Sequence, residues 1–415
     1  MKTLNNQKIV ALEDYESLLG AERIARIREM AEPLRGLHVT HINSTYYGGG
    51  VAELLSSLAL LMNNVGIQTG WRVIQGSPDF FSITKKMHNA LQGGKINFSG
   101  MKRNIYEQVI LENSIRNHID HDFVLVHDPQ PLPMILHYKK KGPWIWRCHL
   151  DMTHPDRILW KYMAPIIEKY DAAILSIMEY KQRLKTPQLF FMPAIDPFSI
   201  KNRMLSEKEI NERLNHYRIP TDLPLVVQIS RFDRWKDPEG VIEAFKLARK
   251  HVDATLVLLG NVASDDPEGQ QVYQSLLNHR EERIIIMSHE DTALVNALQS
   301  KAAVVLQKSL REGFGLTVAE AMWKGTAVIG GKVGGIKYQI RDGVNGFLVS
   351  TIEEAGARIV QLLKNKDLRQ KLGRRAKETV QKHFLLPRLL EQYIGLFKSF
   401  QTVYRLKESK HSAKK

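Results

Sequence analysis

Short apolar runs alternate with amphipathic stretches over most of the chain. In the first half, LHVTHIN (37–43), TGWRVIQG (69–76), DFVLVHD (122–128), WIWRCH (144–149), AAILS (172–176) and LFFMPA (189–194) read as strands. Stretches such as VAELLSSLALLMNNVG (51–66) separate them and carry apolar residues at helical spacing. A second series follows a polar, proline-containing segment: PLVVQIS (224–230), TLVLLG (255–260), RIIIMS (283–288), AVVLQ (303–307), TAVIG (326–330) and GFLVS (346–350). Helices at 240–251 and 316–325 fall between these strands, 352–407 reads as helix only, and 10–35 is an extra helical segment ahead of the first strand.

Apolar strands alternating with helices are the mark of βα units and a parallel sheet. The pattern predicts two successive doubly wound α/β domains, divided near 196–222. The expected division is an N-terminal domain over 1–210 with its helical extension, a second domain over 211–385, a helix over 386–405 and a basic tail over 406–415. Ligands of such sheets bind beyond the carboxyl ends of the strands, so two facing domains would share a cleft.

The loops at those ends carry the candidate chemistry. In REGFGLTVAEAMWK (311–324), Glu312 and Glu320 bracket a glycine-spaced loop. On one continuous helix the two acids would lie about 12 Å apart along the axis, whereas a glycosidase acid pair needs roughly 5–9.5 Å. Gly313 and Gly315 also argue against a helix that starts at Glu312. The expected order is strand, loop, then a helix from Leu316. The free amides of Gly315, Leu316 and Thr317 would then suit a phosphate, and Glu320 would sit one turn further in. The alternative is two solvated surface acids.

SRFDRWKDPEG (230–240) follows the first strand of the second series. Arg231 and Lys236 there can clamp a diphosphate, the first as a bidentate fork and the second as a point charge, or can be ordinary surface cations. NSTYYGGGVAE (43–53) places three glycines before a helix, where a ligand can approach the backbone, or where the chain simply turns tightly. It is neither GxGxxG nor a Walker A loop. VHDPQPLP (126–133) and RCHLDMTHP (147–155) offer His127, Asp128, His149 and Asp151, which can bind sugar hydroxyls or a developing charge, or serve as hydrogen-bonded structural residues. HIDHD (118–122) lacks further ligands for a metal and reads as a solvated loop.

Composition narrows the class. The chain has 415 residues, enough for two or three domains, with 43% apolar and 25% charged residues, which are globular values. The formal charge is 59 minus 44, or +15, and the terminal RLKESKHSAKK supplies +4 of it as a tail expected to be disordered. No basic stripe with interleaved aromatics accompanies the charge, so a polyanionic small molecule is a better expectation than a nucleic acid. The single Cys148 excludes an internal disulfide and suits a reducing, cytoplasmic setting. The N-terminus has no apolar core of a signal peptide, and no run of about 18 apolar residues predicts a membrane span.

Glu312-GFGLTVA-Glu320 resembles the Glu-x7-Glu motif of retaining, family 4 glycosyltransferases of the GT-B fold. SRFDRWKDPEG is similar to that family's Arg/Lys diphosphate site. NSTYYGGGVAELL, FVLVHDPQPLP, WIWRCHLDMTHPD, SDDPEG and LREGFGLTVAEAMWKG resemble a narrower group, the trehalose synthases that move glucose from a nucleotide-glucose to free glucose. Trehalose phosphorylases share much of the pattern. The likeness spans about residues 10–395.

The resemblance implies two Rossmann-like domains facing a deep cleft, the first for the acceptor and the second for the nucleotide-sugar donor, with the C-terminal helix returning to the first. It implies that Arg231, Lys236 and the amides of Gly315, Leu316 and Thr317 hold the donor diphosphate, and that Gly49 and Gly50 close over it. Glu320 would bind the ribose and Glu312 the donor sugar. Asp128 and Asp151 would contact the acceptor, and His149 the donor sugar or the developing charge. It further implies UDP-, ADP- or GDP-glucose as donor substrate, glucose and trehalose as the other small-molecule partners, and no tightly bound cofactor. Magnesium is compatible but called for by no motif, and a homodimer is compatible as well. The sequence departs from the pattern in RCHLDMTHP and around 284–292, near the expected acceptor and base pockets.

Overall fold

The computed structural model of the chain describes residues 9–46, 49–261 and 267–412. Tyr47 and Gly48 of the glycine loop and Ser264–Asp266 of SDDPEG lie outside these residues. The strands form where the apolar runs place them: β1 His38–Asn43, β2 Gln68–Val73, β3 Phe123–His127, β4 Trp144–Arg147, β5 Ala172–Leu175 and β6 Gln188–Phe190 in the first half. The second half holds β7 Leu225–Arg231, β8 Thr255–Asn261, β9 Ile284–Ser288, β10 Val304–Gln307, β11 Ala327–Gly331 and β12 Phe347–Val349. They make two six-stranded sheets, ordered β2-β1-β3-β4-β5-β6 and β12-β11-β10-β7-β8-β9, with parallel pairing throughout. Every residue of β3, β4, β10 and β11 is buried, because helices cover both faces.

In each sheet the strand order reverses once, between β1 and β3 and between β7 and β10. Loops leaving the sheet at such a point splay to opposite faces and open a crevice. The glycine loop follows β1, Asp128 follows β3, Arg231 ends β7 with Lys236 in the turn beyond it, and the Glu312 loop follows β10. The topology therefore collects these segments at two facing crevices.

The helical extension, at Leu12–Tyr15, Glu16–Leu19, Ala21–Ala31 and Glu32–Leu34, packs on one face of the first sheet. It shares that core with the long helix Leu386–Ser412, through Leu389, Leu390, Tyr393, Ile394 and Phe397. The C-terminal helix thus crosses back onto the N-terminal domain. It also runs on to Ser412, so most of the segment expected as a disordered basic tail continues a helix. The run of charged residues there keeps helical propensity, which composition alone does not separate from disorder. Among the described residues, no helix is long and apolar enough to cross a membrane.

Phe397 is fully buried with its ring 4.6 Å from that of Phe123, at the centre of this docking. Phe397→Ala should cost about 3–5 kcal/mol in denaturant-induced unfolding. A loss under about 1 kcal/mol would mean that the crossing helix contributes little.

Candidate active site

β10 ends at Gln307 and the next helix begins at Leu316, so Glu312 lies on the loop and Glu320 one turn inside the helix. Gly315 caps the helix in the left-handed region (φ 87°), a conformation that leaves Leu316 and Thr317 as the first helical residues, with amides aimed out of the helix end. Glu312 is 8% exposed and accepts from Lys236 Nζ at 2.5 Å and from Ser309 Oγ at 3.2 Å. Lys236 comes from a short 3₁₀ turn after β7, which Asp233 caps through the Trp235 amide. Arg231 is half exposed and points at Asp233, 3.7 Å away. A lysine, an arginine, a carboxylate and a helix N-terminus therefore share one crevice.

The first domain closes on this crevice. The helix Gly50–Asn64 starts against the helix at Leu316: a β-carbon on Gly50 would overlap the Leu316 side chain. Two helix N-termini thus face each other across the cleft, a favourable environment for an anion. Lys85, on the helix Pro78–Leu91 of the first domain, reaches Asp233 at 3.5 Å. Burial works against the Asp233 charge, but Lys85 and Arg231 outweigh it and hold its pKa below the ordinary value. Burial and the nearby cations Arg231 and Lys85 push His88, on the same helix, well down, so it is neutral. Tyr180 donates to the carbonyl oxygens of Glu312 at 2.7 Å and Gly313 at 3.1 Å.

Glu320 is not a surface acid. It is 1% exposed, 3.1 Å from Lys201 Nζ, and accepts from Gln299 Nε2 at 3.3 Å. Lys201 also binds Glu53 of the first domain at 2.8 Å. Burial opposes the Lys201 charge, yet Glu320 and Glu53 outweigh it and keep its pKa above the ordinary range. Burial pushes the neighbouring Lys324 down to about 7. The void beside Glu320, lined by Glu53, Ser57, Asp196 and Leu316, is only about 10 Å³, at the lower limit for one water.

On the other side of the cleft, Asp128 takes a left-handed conformation (φ 62°), and its carboxylate accepts from the His149 amide at 2.8 Å. Burial pushes Asp128 up to about 7. Asp151 is 2% exposed; its Oδ1 accepts from the amide and hydroxyl of Thr153, and its Oδ2 lies 3.8 Å from Arg311. Asp151 thus ties its own loop and the Glu312 loop together. His149 is joined through His127 to His41 by ring–ring hydrogen bonds of 3.0 and 2.9 Å.

The structure therefore brings Gly50, Arg231, Lys236, Glu312, Gly315 and Leu316 to one crevice, with Asp128 and His149 on the opposing strand ends. Lys85, His88, Tyr180, Lys201 and His41 escaped the sequence reading. Lys85 and His88 sit on an ordinary amphipathic helix, and His41 lies inside a strand, so neither place signals chemistry. Lys201 lies in the segment read as a domain boundary.

Two doubly wound domains facing across a basic, carboxylate-bearing crevice define a glycosyltransferase of the GT-B architecture. Residues 209–379 match the family model described as glycosyl transferases group 1, and residues 41–182 match that of the trehalose synthase N-terminal domain. The trehalose synthase of Pyrococcus horikoshii is 42% identical over 400 residues, covering 94% of this chain and 96% of that protein. The chain belongs to the trehalose synthase family. The trehalose phosphorylase of Pleurotus pulmonarius is more distant, at 25% identity over 82% of this chain and 54% of its own length. Among solved structures, the sucrose-phosphate synthase of Thermosynechococcus elongatus shares the fold with a TM-score of 0.70 at 18% identity, covering 88% of this chain and all of that one.

Two outcomes follow from the packing and the charges. A β-carbon on Gly313 would overlap the carbonyl oxygen of His149. Gly313→Ala should hold the domains apart and lower kcat/KM by about 10²-fold with little change in melting temperature; activity within a few-fold of the parent would mean that the cleft need not close this tightly. The second outcome concerns acid. Burial lowers the pKa of His41 to about 3, and burial holds His127 and His149 well below the usual value. The unfolded chain binds those protons and the folded one does not, so these groups lose stability as pH falls below about 6.5. Asp128, with its raised pKa, acts in the opposite sense between about 3.8 and about 7. Three groups outweigh one, so the melting temperature should fall between pH 6.5 and 4, and a flat or rising profile there would contradict the neutral histidines.

Proposed function

We propose that the protein is a retaining glucosyltransferase that makes α,α-trehalose from a nucleoside-diphosphate glucose and free glucose. The Lys236–Glu312 pair at the N-terminal end of the Leu316 helix carries this reading. Each partner neutralises the other in the absence of substrate. A bound donor would give Lys236 its diphosphate and Glu312 its sugar hydroxyls, replacing one ion pair by two sets of charge-assisted bonds.

The C1–O bond to the diphosphate breaks as the C1–O bond to the acceptor forms on the same face. The proton of the acceptor hydroxyl passes to the departing phosphate oxygen. Arg231, Lys236 and the amides of Leu316 and Thr317 stabilise the charge that grows on that phosphate. Gly49 and Gly50 close over it from the first domain. Asp128 and Asp151 shape the acceptor side, directly or through the loops they hold, and His149 faces the donor sugar. Glu320 takes the ribose only after Lys201 releases it, so donor entry requires the domains to part and close again. Closure keeps water from the activated sugar. No residue in the crevice is placed as a metal ligand or as a covalent nucleophile in this scheme. The partners are small molecules: nucleotide-glucose (UDP- or ADP-glucose among the donors to screen), glucose and trehalose. The single, buried Cys148 suits a reducing cytoplasm, where we place the enzyme.

The test mixes each nucleoside-diphosphate glucose with glucose and analyses the products for trehalose. Trehalose should form with at least one donor, and Lys236→Ala should lower the rate by about 10²-fold or more. No trehalose with any donor, together with trehalose breakdown that depends on inorganic phosphate, would establish a phosphorylase instead.

A further inference from the structure

Behind His149 the first sheet buries two more histidines. His41 on β1 is 0% exposed and His127 on β3 is 1% exposed. Alternate residues of a strand share a face, so His41 lies on the side of Val39, and His127 on the side of Leu125, toward the core that the C-terminal helix covers. The three rings form a chain toward the cleft. His41 Nδ1 lies 2.9 Å from His127 Nε2, and His127 Nδ1 lies 3.0 Å from His149 Nε2. The last two rings are stacked, with centroids 5.3 Å apart and planes at 16°. Both nitrogens of the middle ring are used, and Nδ1 is the ring nitrogen of His149 that the chain leaves over.

The surroundings keep the chain neutral. Arg147 on β4 is buried on the same side, its guanidinium donating to the carbonyl oxygens of Leu175 and Phe191. The other titratable groups beside the chain are Asp128 at the end of β3 and Tyr393 of the C-terminal helix, whose ring meets His41 edge-on, while Cys148 is buried in the opposite core. Asp128 spends one oxygen on the His149 amide rather than on a ring. A neutral imidazole carries one N–H, so two linked bonds allow the chain only two polarities. With every N–H directed outward, His41 donates to His127, His127 donates to His149, and His149 keeps its own proton on Nδ1. His41 Nε2 is then a bare lone pair. In the reverse polarity His41 Nε2 carries an N–H. That atom has no partner among the described residues. A buried, unpaired N–H is the rarer and costlier of the two defects.

We propose that His41 and His127 are positioning residues that fix His149 as a neutral imidazole with its proton on Nδ1, presented as a hydrogen-bond donor to the transferred sugar. The proposal rests on the placement of His149 against the donor sugar given above. A neutral donor suits that place. It can hold a sugar hydroxyl without setting a positive charge beside the anomeric carbon, where positive charge grows as the diphosphate leaves. It is also a single tautomer, so the site need not select it at each turnover.

The wild-type protein tests the polarity directly, without any variant. In the full chain labelled with [15N]histidine, ring-nitrogen NMR at neutral pH should show His127 and His149 protonated on Nδ1. A proton on Nε2 of His149, or a mixture of tautomers, overturns the proposal. In the trehalose-forming assay, His41→Phe should lower kcat about ten-fold, with the KM for nucleotide-glucose changed less than about two-fold. His41→Asn, whose amide can donate from near the position of Nδ1, should recover most of that loss. Equal losses in the two variants, with His149 still protonated on Nδ1, would make His41 a packing residue and overturn its role. Full activity of His149→Ala would remove His149 from the sugar site and the proposal with it. Failure of the tautomer test leaves the trehalose-forming reading untouched.

Discussion

The cleft depends on two chain crossings held side by side. The Ile195 amide donates to the carbonyl oxygen of Phe384 at 2.8 Å, and the Leu386 amide donates to that of Ile195 at 3.1 Å. One crossing leads out of the first sheet and the other leads back to it. Their pairing makes a short two-stranded joint, and the helix beyond Leu386 is then anchored in the first domain's core. The carboxyl ends of both sheets must therefore face each other. With that geometry fixed, the loops after β1, β3, β7 and β10 have no other place to go.

The contacts across the cleft are mostly ionic or small. Lys85 with Asp233, Arg311 with Asp151, and Lys201 between Glu53 and Glu320 join the domains, together with the Tyr180 hydroxyl on the Glu312 loop. The apolar cores lie mostly within the domains, on either side of each sheet, though Ile195, Leu18, Leu19 and Met192 of the first half join a core of the second. The carboxylates of Asp233, Asp151 and Glu320 are nearly buried, so the cost of taking these charges out of water offsets much of their attraction to the partner cations, whereas the apolar cores keep each domain rigid. Gly313, pressed against the His149 carbonyl, adds a steric condition: the closed state admits no side chain there.

Burial also sets the charge state of the groups around the site. Arg147 is enclosed with only carbonyl oxygens as direct hydrogen-bond partners, and the histidines near it stay neutral. Asp128 is driven up by the same enclosure. Lys236 and Glu312, in contrast, neutralise each other directly at 2.5 Å. The histidines on one side of the cleft are thus neutral hydrogen-bonding groups, while Lys236 on the other is a charge that a phosphate can recruit.

The local code of the chain is strong. Apolar runs of strand length, glycines at 313 and 315, and the acid placed after Leu316 determine the strands, the loop and the helix end from neighbours a few residues away. The doubly wound class and the segments that carry Arg231, Lys236 and Glu312 were therefore legible in the sequence. What the tertiary structure decided is which distant residues share that space. Lys236 meets Glu312 across 76 positions of chain, Lys85 meets Asp233 across 148, and His41 reaches His149 only through His127. Neither Lys85 nor His41 differs locally from an ordinary helix lysine or strand histidine. Their roles arise from the strand order and the crossing at Ile195, because proximity and burial, unlike helix and strand propensity, are properties of the packed chain as a whole.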